Sequence, residues 1–488
     1  MSQTSLDTSY PGSFWSALDP SRKVPGRLVL DGRWPRIILS SPLTPSLEVK
    51  ETVRNPDGSS TQKLGVPLRN DPLTIHGEVI GAKARKVTIF AANTIRHRGE
   101  GIFSLLTGRE RLEEQTLEGD WCLLGAHEDE NFEIETCSFR FQNIDEWTSR
   151  GEFSLEVAPD GSRGAIAYEK PGDVSARIPG SSRVIIFATT RLVRPPSKMN
   201  GLGFSYRTHF RFERLPAITM SDLLNQYIGP VVQLVTLCTG GDAAPTSIEV
   251  KSSSGDRWCI VHHPVLKDAY ELNALLNPLL SMYDLGIHGI ARWISRHAKI
   301  SPIPGLVANI VSLSQSRDIE NQVLELATSF EGLHRRLYPN VQRISKSKAD
   351  ELRRAARRSV PVEFQAIVNE ALFHLHDPTY HERLAYLLGE VGSVAPNIVG
   401  NRESWLKQVK NARNGFAHQL PNVKMGSIEA LDALGQSLRW SLTFLLLRQT
   451  GIDDTLLSQR IQDHRPYEDF LLYAKQVNPE VWPSAANE

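Results

Sequence analysis

Cysteine is scarce in this 488-residue chain. There are four, Cys122, Cys137, Cys238 and Cys259, and no two stand in a C-x-x-C pair. That argues against zinc ribbons, thioredoxin-like redox chemistry and a disulfide-built scaffold. Net charge is also lacking: 55 basic side chains balance 55 acidic ones, so any case for nucleic-acid binding must rest on local patches. No uncharged apolar run reaches the roughly 18 residues of a membrane span. The best stretch, residues 227–239, is short and carries Pro230 and Gln233. The opening residues have neither a cationic nor an apolar signal region, so a soluble, reducing, cytoplasmic protein is expected, with no membrane partner. A P-loop, a Rossmann glycine fingerprint and H-E-x-x-H are all missing.

What is present divides near residue 217. The first 72 residues contain nine prolines, a density that long helices do not tolerate. Short β-branched runs lie between turn signals: 27–30 and 36–39 around Asp31-Gly32, then 86–90 and 182–187. Phe204, Tyr206, Thr208, Phe210 and Phe212 alternate at the period of a half-buried strand. A β-sandwich or barrel-like sheet is expected for 1–216. From Ser221 the apolar period becomes 3.6. Ile319, Val323, Leu326, Phe330, Leu333 and Leu337 mark one long helix. Ile428, Leu431, Leu434, Leu438, Leu442 and Leu445 mark another, with Gly451 as its stop. Alternation between Ile248 and Val261 predicts a small hairpin within this helical part. The fold class is α+β multidomain, with an all-helical bundle at 217–488.

Charge is uneven locally. Residues 335–359 hold nine basic side chains against Asp350 and Glu351. That suits a solvated helix face or a tracker of phosphate backbone through Arg353, Arg354, Arg357 and Arg358. Residues 113–135 hold nine acidic side chains and no Lys or Arg, and read as an acidic loop.

The most informative stretch is residues 401–418. Trp405, Val409, Ala412 and Phe416 recur at helical spacing and predict a buried stripe, with Lys410, Arg413, Asn414 and His418 off it. Arg413 and His418 are five apart, about 140° around an ideal helix. They converge only if the Arg side chain reaches round, the helix bends near Gly415, or a second copy completes the site. A His that titrates near neutrality moves protons, and an Arg fork stabilises charge on phosphate.

Arg413-Asn-Gly-Phe-Ala-His418 resembles the R-x4-6-H motif of HEPN-domain ribonucleases, with Asn414 as the polar residue that often follows the Arg. Phe14-Trp15, Val24 to Leu30, Arg36 to Leu39, Ile75-His-Gly77 and Val87 to Phe90 are similar to the opening strands of ApeA-type anti-phage proteins. Ala327 to His334 is similar to an early helix of their HEPN domain. The resemblance implies a sensing or regulatory domain at 1–216 and a HEPN domain at 217–488. It also implies an abortive-infection effector that cleaves RNA without metal or cofactor. Arg413, His418 and Asn414 would be catalytic, with Lys410 among the RNA contacts. A homodimer through the helical domain and a phage protein as trigger follow from it. Two other readings are a non-catalytic HEPN module that binds RNA or a nucleotide, and a metal-dependent hydrolase built on His374, His376, Asp377, His381 and Glu382. Against the last, Asp377-Pro378 reads as a helix cap and first turn that splits the cluster. Glu331 and His334, three apart on a helix, are accessory polar candidates.

Overall fold

A computed structural model describes residues 9–483 except 32, 44–47, 55–59, 66–71, 99–113, 149–152, 158, 161–163, 169–171, 195–202, 253–254, 268–277, 313–317 and 419–426. The chain forms two compact units and passes between them more than once. The first comprises Met1–Gln142, Arg183–Leu224 and Ala244–Glu271; the second comprises Asn143–Ser182, Asn225–Ala243 and Leu272–Glu488.

The first unit is built on antiparallel strands: β1 (Ser9–Ser16), β2 (Val24–Val29), β3 (Arg36–Leu39), β4 (Leu73–Val79), β5 (Lys86–Arg98), β6 (Glu114–Glu118), β7 (Trp121–Leu124), β8 (Ile134–Phe141), β9 (Val184–Arg194), β10 (Gly203–Glu213), β11 (Pro245–Ser252) and β12 (Cys259–His262). Their order is β9-β10-β8-β11-β12-β7-β5-β4-β1-β2-β3-β6, and β6 returns to pair with β5. That last pairing closes six strands into a barrel, as the sequence led us to expect. Thirteen residues in β5 allow it to serve β4, β7 and β6 together. The barrel is filled by Phe14, Leu28, Ile37, Leu39, Ile75, Val87 and Ile89, all fully buried. Gly77 is required beside Phe14, because a Cβ there would meet the Phe14 ring at 2.5 Å.

Two expectations change here. The hairpin at 248–261 joins the sheet and not the helices: β11 pairs with β8, and β12 pairs with β7. Ile248, Val250 and Val261 lie on the buried face of that sheet and are at most 2% exposed. The acidic stretch is likewise no simple loop. Its described residues contain β6 and β7, whose Leu117, Cys122 and Leu123 are buried, while Glu114 of β6 and Asp120 of the turn between them are exposed. All four cysteines are buried and unpaired, and burial pushes the Cys122 thiol up to about 12.

The second unit is helical: α1 (Gly229–Thr239), α2 (Met282–Ile300), α3 (Ile303–Val311), α4 (Ile319–Leu337), α5 (Lys346–Arg358), α6 (Gln365–Ala371), α7 (Tyr380–Gly392), α8 (Arg402–His418), α9 (Ile428–Leu447), α10 (Asp454–Gln462) and α11 (Arg465–Val477). The long helix α4 packs against α7, α8 and α9. Val323, Leu326, Phe330 and Leu333 form its buried stripe, and Leu431, Leu434, Leu438, Leu442 and Leu445 form that of α9. Gly451 adopts φ 76° just beyond α9, the left-handed stop its sequence position predicts. Among the described residues no helix is long and apolar enough to cross a membrane.

Candidate active site

Helix α8 carries the site. Asn401 Oδ1 accepts from the Ser404 amide at 3.0 Å, satisfying an orphan donor at its start. One turn in, Trp405 is fully buried and its indole donates to Ser437 Oγ on α9 at 2.9 Å. The Trp405 ring also meets Phe330 of α4 edge-on, 6.1 Å between centroids. Ser437 passes the hydrogen bond on to the Ile398 carbonyl at 2.8 Å. This anchor fixes the rotation of α8, so Arg413, two turns on, has a defined direction. Val409 and Ala412 complete the buried stripe, whereas Phe416 is only half-buried.

Arg413 is held from three sides. Its Nη1 donates to Asn414 Oδ1 at 3.1 Å, and its Nη2 lies 3.7 Å from Glu331 Oε2 on α4. The guanidinium stands over the Tyr380 ring of α7, 5.3 Å from the centroid, a cation–π geometry. Its Nε is buried without a hydrogen-bond partner. Tyr380 is itself pinned, donating to the Ala327 carbonyl at 3.3 Å, and burial raises its phenol above the usual range. Asn414 is therefore bound to Arg413 and not to His418.

His418 lies apart from this cluster. Helix α8 runs unbroken through Gly415, so the bend at that glycine is not how the two motif residues meet. His418 is the last residue of the helix and exposed. Within one chain it stands about 140° round and about 7.5 Å along from Arg413. Lys410 is exposed on the same helix.

Glu331 was legible as an accessory polar residue, and the structure gives it two arginines. Besides Arg413 it takes Arg335, whose Nη2 donates to Oε1 at 2.8 Å. His334 turns the other way, into the interior, with no exposure. Its Nδ1 lies 3.4 Å from Nη1 of Arg383, which is only 4% exposed. Burial first, then the Arg383 and Arg335 charges, depress the His334 imidazole to about 4, so it is neutral at neutral pH. Tyr380 and Arg383 escaped the sequence reading. They share one face of α7 at i, i+3, but their spacing from Arg413 in the chain gives no hint of contact.

The proposed phosphate trackers lie on α5, where only Ala349 is buried. Arg353 pairs with Asp350 at 2.9 Å and stands over Phe373, and Arg354 Nε donates to the Asp350 carbonyl. Arg357 and Arg358 are exposed. Arg353 and Arg354 find their polar partner, Asp350, within α5, and the structure does not bring the four to Arg413.

The histidine cluster resolves differently from its sequence reading. The cap of α7 is Thr379, not Asp377: Thr379 and Glu382 form a reciprocal capping box, with Glu382 Oε2 accepting from the Thr379 amide at 2.7 Å. A Thr-x-x-Glu box satisfies two orphan donors at once, more than Asp377 alone could. That hydrogen bond holds the Glu382 carboxyl below its usual range, and Arg343 lies 3.2 Å away. Asp377 instead takes His374 Nδ1 at 3.0 Å. Among the described residues no three His, Cys, Asp or Glu side chains are grouped to hold a metal ion.

Comparison with known proteins adds two matches. Residues 9–293, more than half of the chain, match the family described as ApeA N-terminal domain 1. Residues 324–456, from α4 through α9, match the family described as Apea-like HEPN. No curated protein and no solved structure matches the chain.

Proposed function

Since the chain belongs to the ApeA family and its C-terminal region to the Apea-like HEPN family, we propose that it is a metal-independent endoribonuclease serving as an anti-phage, abortive-infection effector. The observation that carries this reading is the preorganised Arg413. A guanidinium held by Asn414, Glu331 and the Tyr380 ring, on a side chain that is still 31% exposed, is set to receive a phosphate oxygen.

In the proposed reaction the ribose 2′-oxygen attacks the adjacent phosphorus. The new 2′-O–P bond forms as the P–O5′ bond breaks, leaving a 2′,3′-cyclic phosphate and a 5′-hydroxyl. His418 exchanges the proton, taking it from the 2′-hydroxyl or giving it to the departing 5′-oxygen. Arg413 offsets the charge that grows on the nonbridging oxygens. Because Arg413 and His418 diverge along one straight helix, the working site is composite, with each copy of a homodimer supplying one of the pair. Asn414 and Glu331 position the Arg413 fork. The β-rich N-terminal part, 1–216 together with the β11–β12 hairpin, would sense a phage protein and release the helices of 217–488 from restraint.

Purified chain incubated with RNA in the presence of EDTA tests this. Products ending in 2′,3′-cyclic phosphate, absent with Arg413→Ala and with His418→Ala, are expected. RNA cleaved equally by either variant overturns the assignment.

A further inference from the structure

The sheet of the first unit has two faces of opposite chemistry. On β8 and β10, Phe139, Phe141, Phe210 and Phe212 face the core and are at most 2% exposed. Phe139 stacks on Phe212 with centroids 5.6 Å apart. Strand alternation sends the intervening residues, Ser138 and Arg140 on β8 with Arg207, His209 and Arg211 on β10, to the other face. A slip of one residue would bury those cations and expose the phenylalanines, so the aromatic core fixes where the charges stand.

That other face holds a recess of about 460 Å³, within the size range of small-molecule sites. Arg140, Arg207, Arg211 and Lys83 line it, against Glu249 as the acidic lining residue. Arg211 is additionally paired with Glu213 at 2.9 Å, and Arg140 donates to the Thr208 carbonyl. Register gives the recess a direction. Arg207 lies opposite Thr190 of β9 at one side, and Arg140 lies opposite Ser247. Across the sheet Arg211 aligns with Ser138, then Glu249, then Ile260 of β12. Trp258, two residues before Ile260, lines the far side, with Lys251 Nζ 5.3 Å from its ring centroid. One end is therefore lined by arginines and hydroxyls, and the other by an aromatic ring with Lys251 beside it and an aliphatic side chain. Like charges side by side on a sheet are destabilising, and an anion placed among them relieves that repulsion.

We propose that this recess binds a nucleotide, its phosphates on Arg140 and Arg207 and its base against Trp258 and Ile260. Arg forks match phosphate oxygens, Ser247 and Thr190 can donate to phosphate or ribose, and an indole gives a base a flat partner. A free nucleotide and the end of an RNA strand present the same groups. Nothing in the proposal depends on Arg413 or His418 being catalytic.

The test uses the full chain carrying His418→Ala, so that RNA stays intact whether or not the catalytic reading holds. ATP, inorganic phosphate and single-stranded oligouridylate are titrated calorimetrically at several salt concentrations. Arg207→Glu and Lys83→Glu, both at exposed positions, should each weaken ATP or oligouridylate binding by about tenfold or more. Trp258→Leu should weaken the two nucleotide probes and leave inorganic phosphate unchanged. Tighter binding of ATP would mark a free nucleotide as the ligand, and tighter oligouridylate binding would mark an RNA strand. The proposal is overturned if ATP and oligouridylate both fail to bind, or if both charge reversals leave their affinity unchanged. It is equally overturned if an acidic peptide binds as tightly as ATP, which would make the recess a protein-docking patch.

Discussion

The carboxylate of Glu331 and the guanidinium of Arg413 stand 3.7 Å apart, joining α4 to α8 across 82 residues of chain. Glu331 is bonded more closely to Arg335, at 2.8 Å, so it orients Arg413 without fully neutralising it. A phosphate arriving at Arg413 would compete with a long, weak ion pair and not a tight one.

Positioning by Glu331 can therefore be separated from catalysis by Arg413. Glu331→Gln should retain the fold and lower kcat by about tenfold, the equivalent of about 1.4 kcal/mol, with KM little changed. Arg413→Ala should lose cleavage altogether. Arg413→Lys should recover little, since an ammonium lacks the planar fork. Wild-type kcat in Glu331→Gln would reduce the ion pair to a surface contact.

Asn414→Ala should weaken cleavage less than His418→Ala does. Asn414 accepts one hydrogen bond from Arg413, so its loss loosens the guanidinium but leaves its charge in place. Steady-state rates of the two purified variants on one RNA substrate decide the order.

Cleavage should survive excess EDTA. The proposed proton carrier and charge stabiliser are both side chains, and Glu382 is engaged by the α7 cap and by Arg343. Activity lost in EDTA and restored by manganese or zinc would favour the His374 to Glu382 cluster instead.

Helix α5 gives a salt-dependence prediction. If Arg354, Arg357 and Arg358 track phosphates, reversing them to Glu should flatten the dependence of log affinity on log salt by about 0.7 per lost contact with single-stranded RNA. Arg353 should matter less, because Asp350 already engages it. Filter binding across a salt series measures the slope, and an unchanged slope marks α5 as a solvated face.

His334 makes stability depend on pH. Its folded value near 4 lies below the ordinary 6.5, so between these limits the unfolded chain binds more protons than the folded one. Its contribution is whole above pH 6.5 and declines as pH falls towards 4, by at most about 1.4 kcal/mol per pH unit. His297 and His464, depressed to about 4 mainly by burial, add to the same slope. Urea unfolding at a series of pH values should show His334→Gln with a shallower decline than wild type.

Much of the fold is legible locally because it is periodic. Alternation over residues 208–212 fixes the buried face of β10, and the 3.6 period fixes the buried stripes of α4 and α9. Trp405, Val409 and Ala412 likewise determine which side of α8 is buried, and the helical angle alone separates Arg413 from His418. What lies off those stripes is not fixed by any period. That Glu331 and Tyr380 meet Arg413, and that Arg383 is buried beside His334, depends on how α4, α7 and α8 pack. The 248–261 hairpin shows the same limit. Its alternation predicts strands, but its pairing with β8 on one side and β7 on the other joins segments far apart in the chain, which no local period specifies. Periodicity names the face that must be buried, and only tertiary packing chooses the partner that buries it.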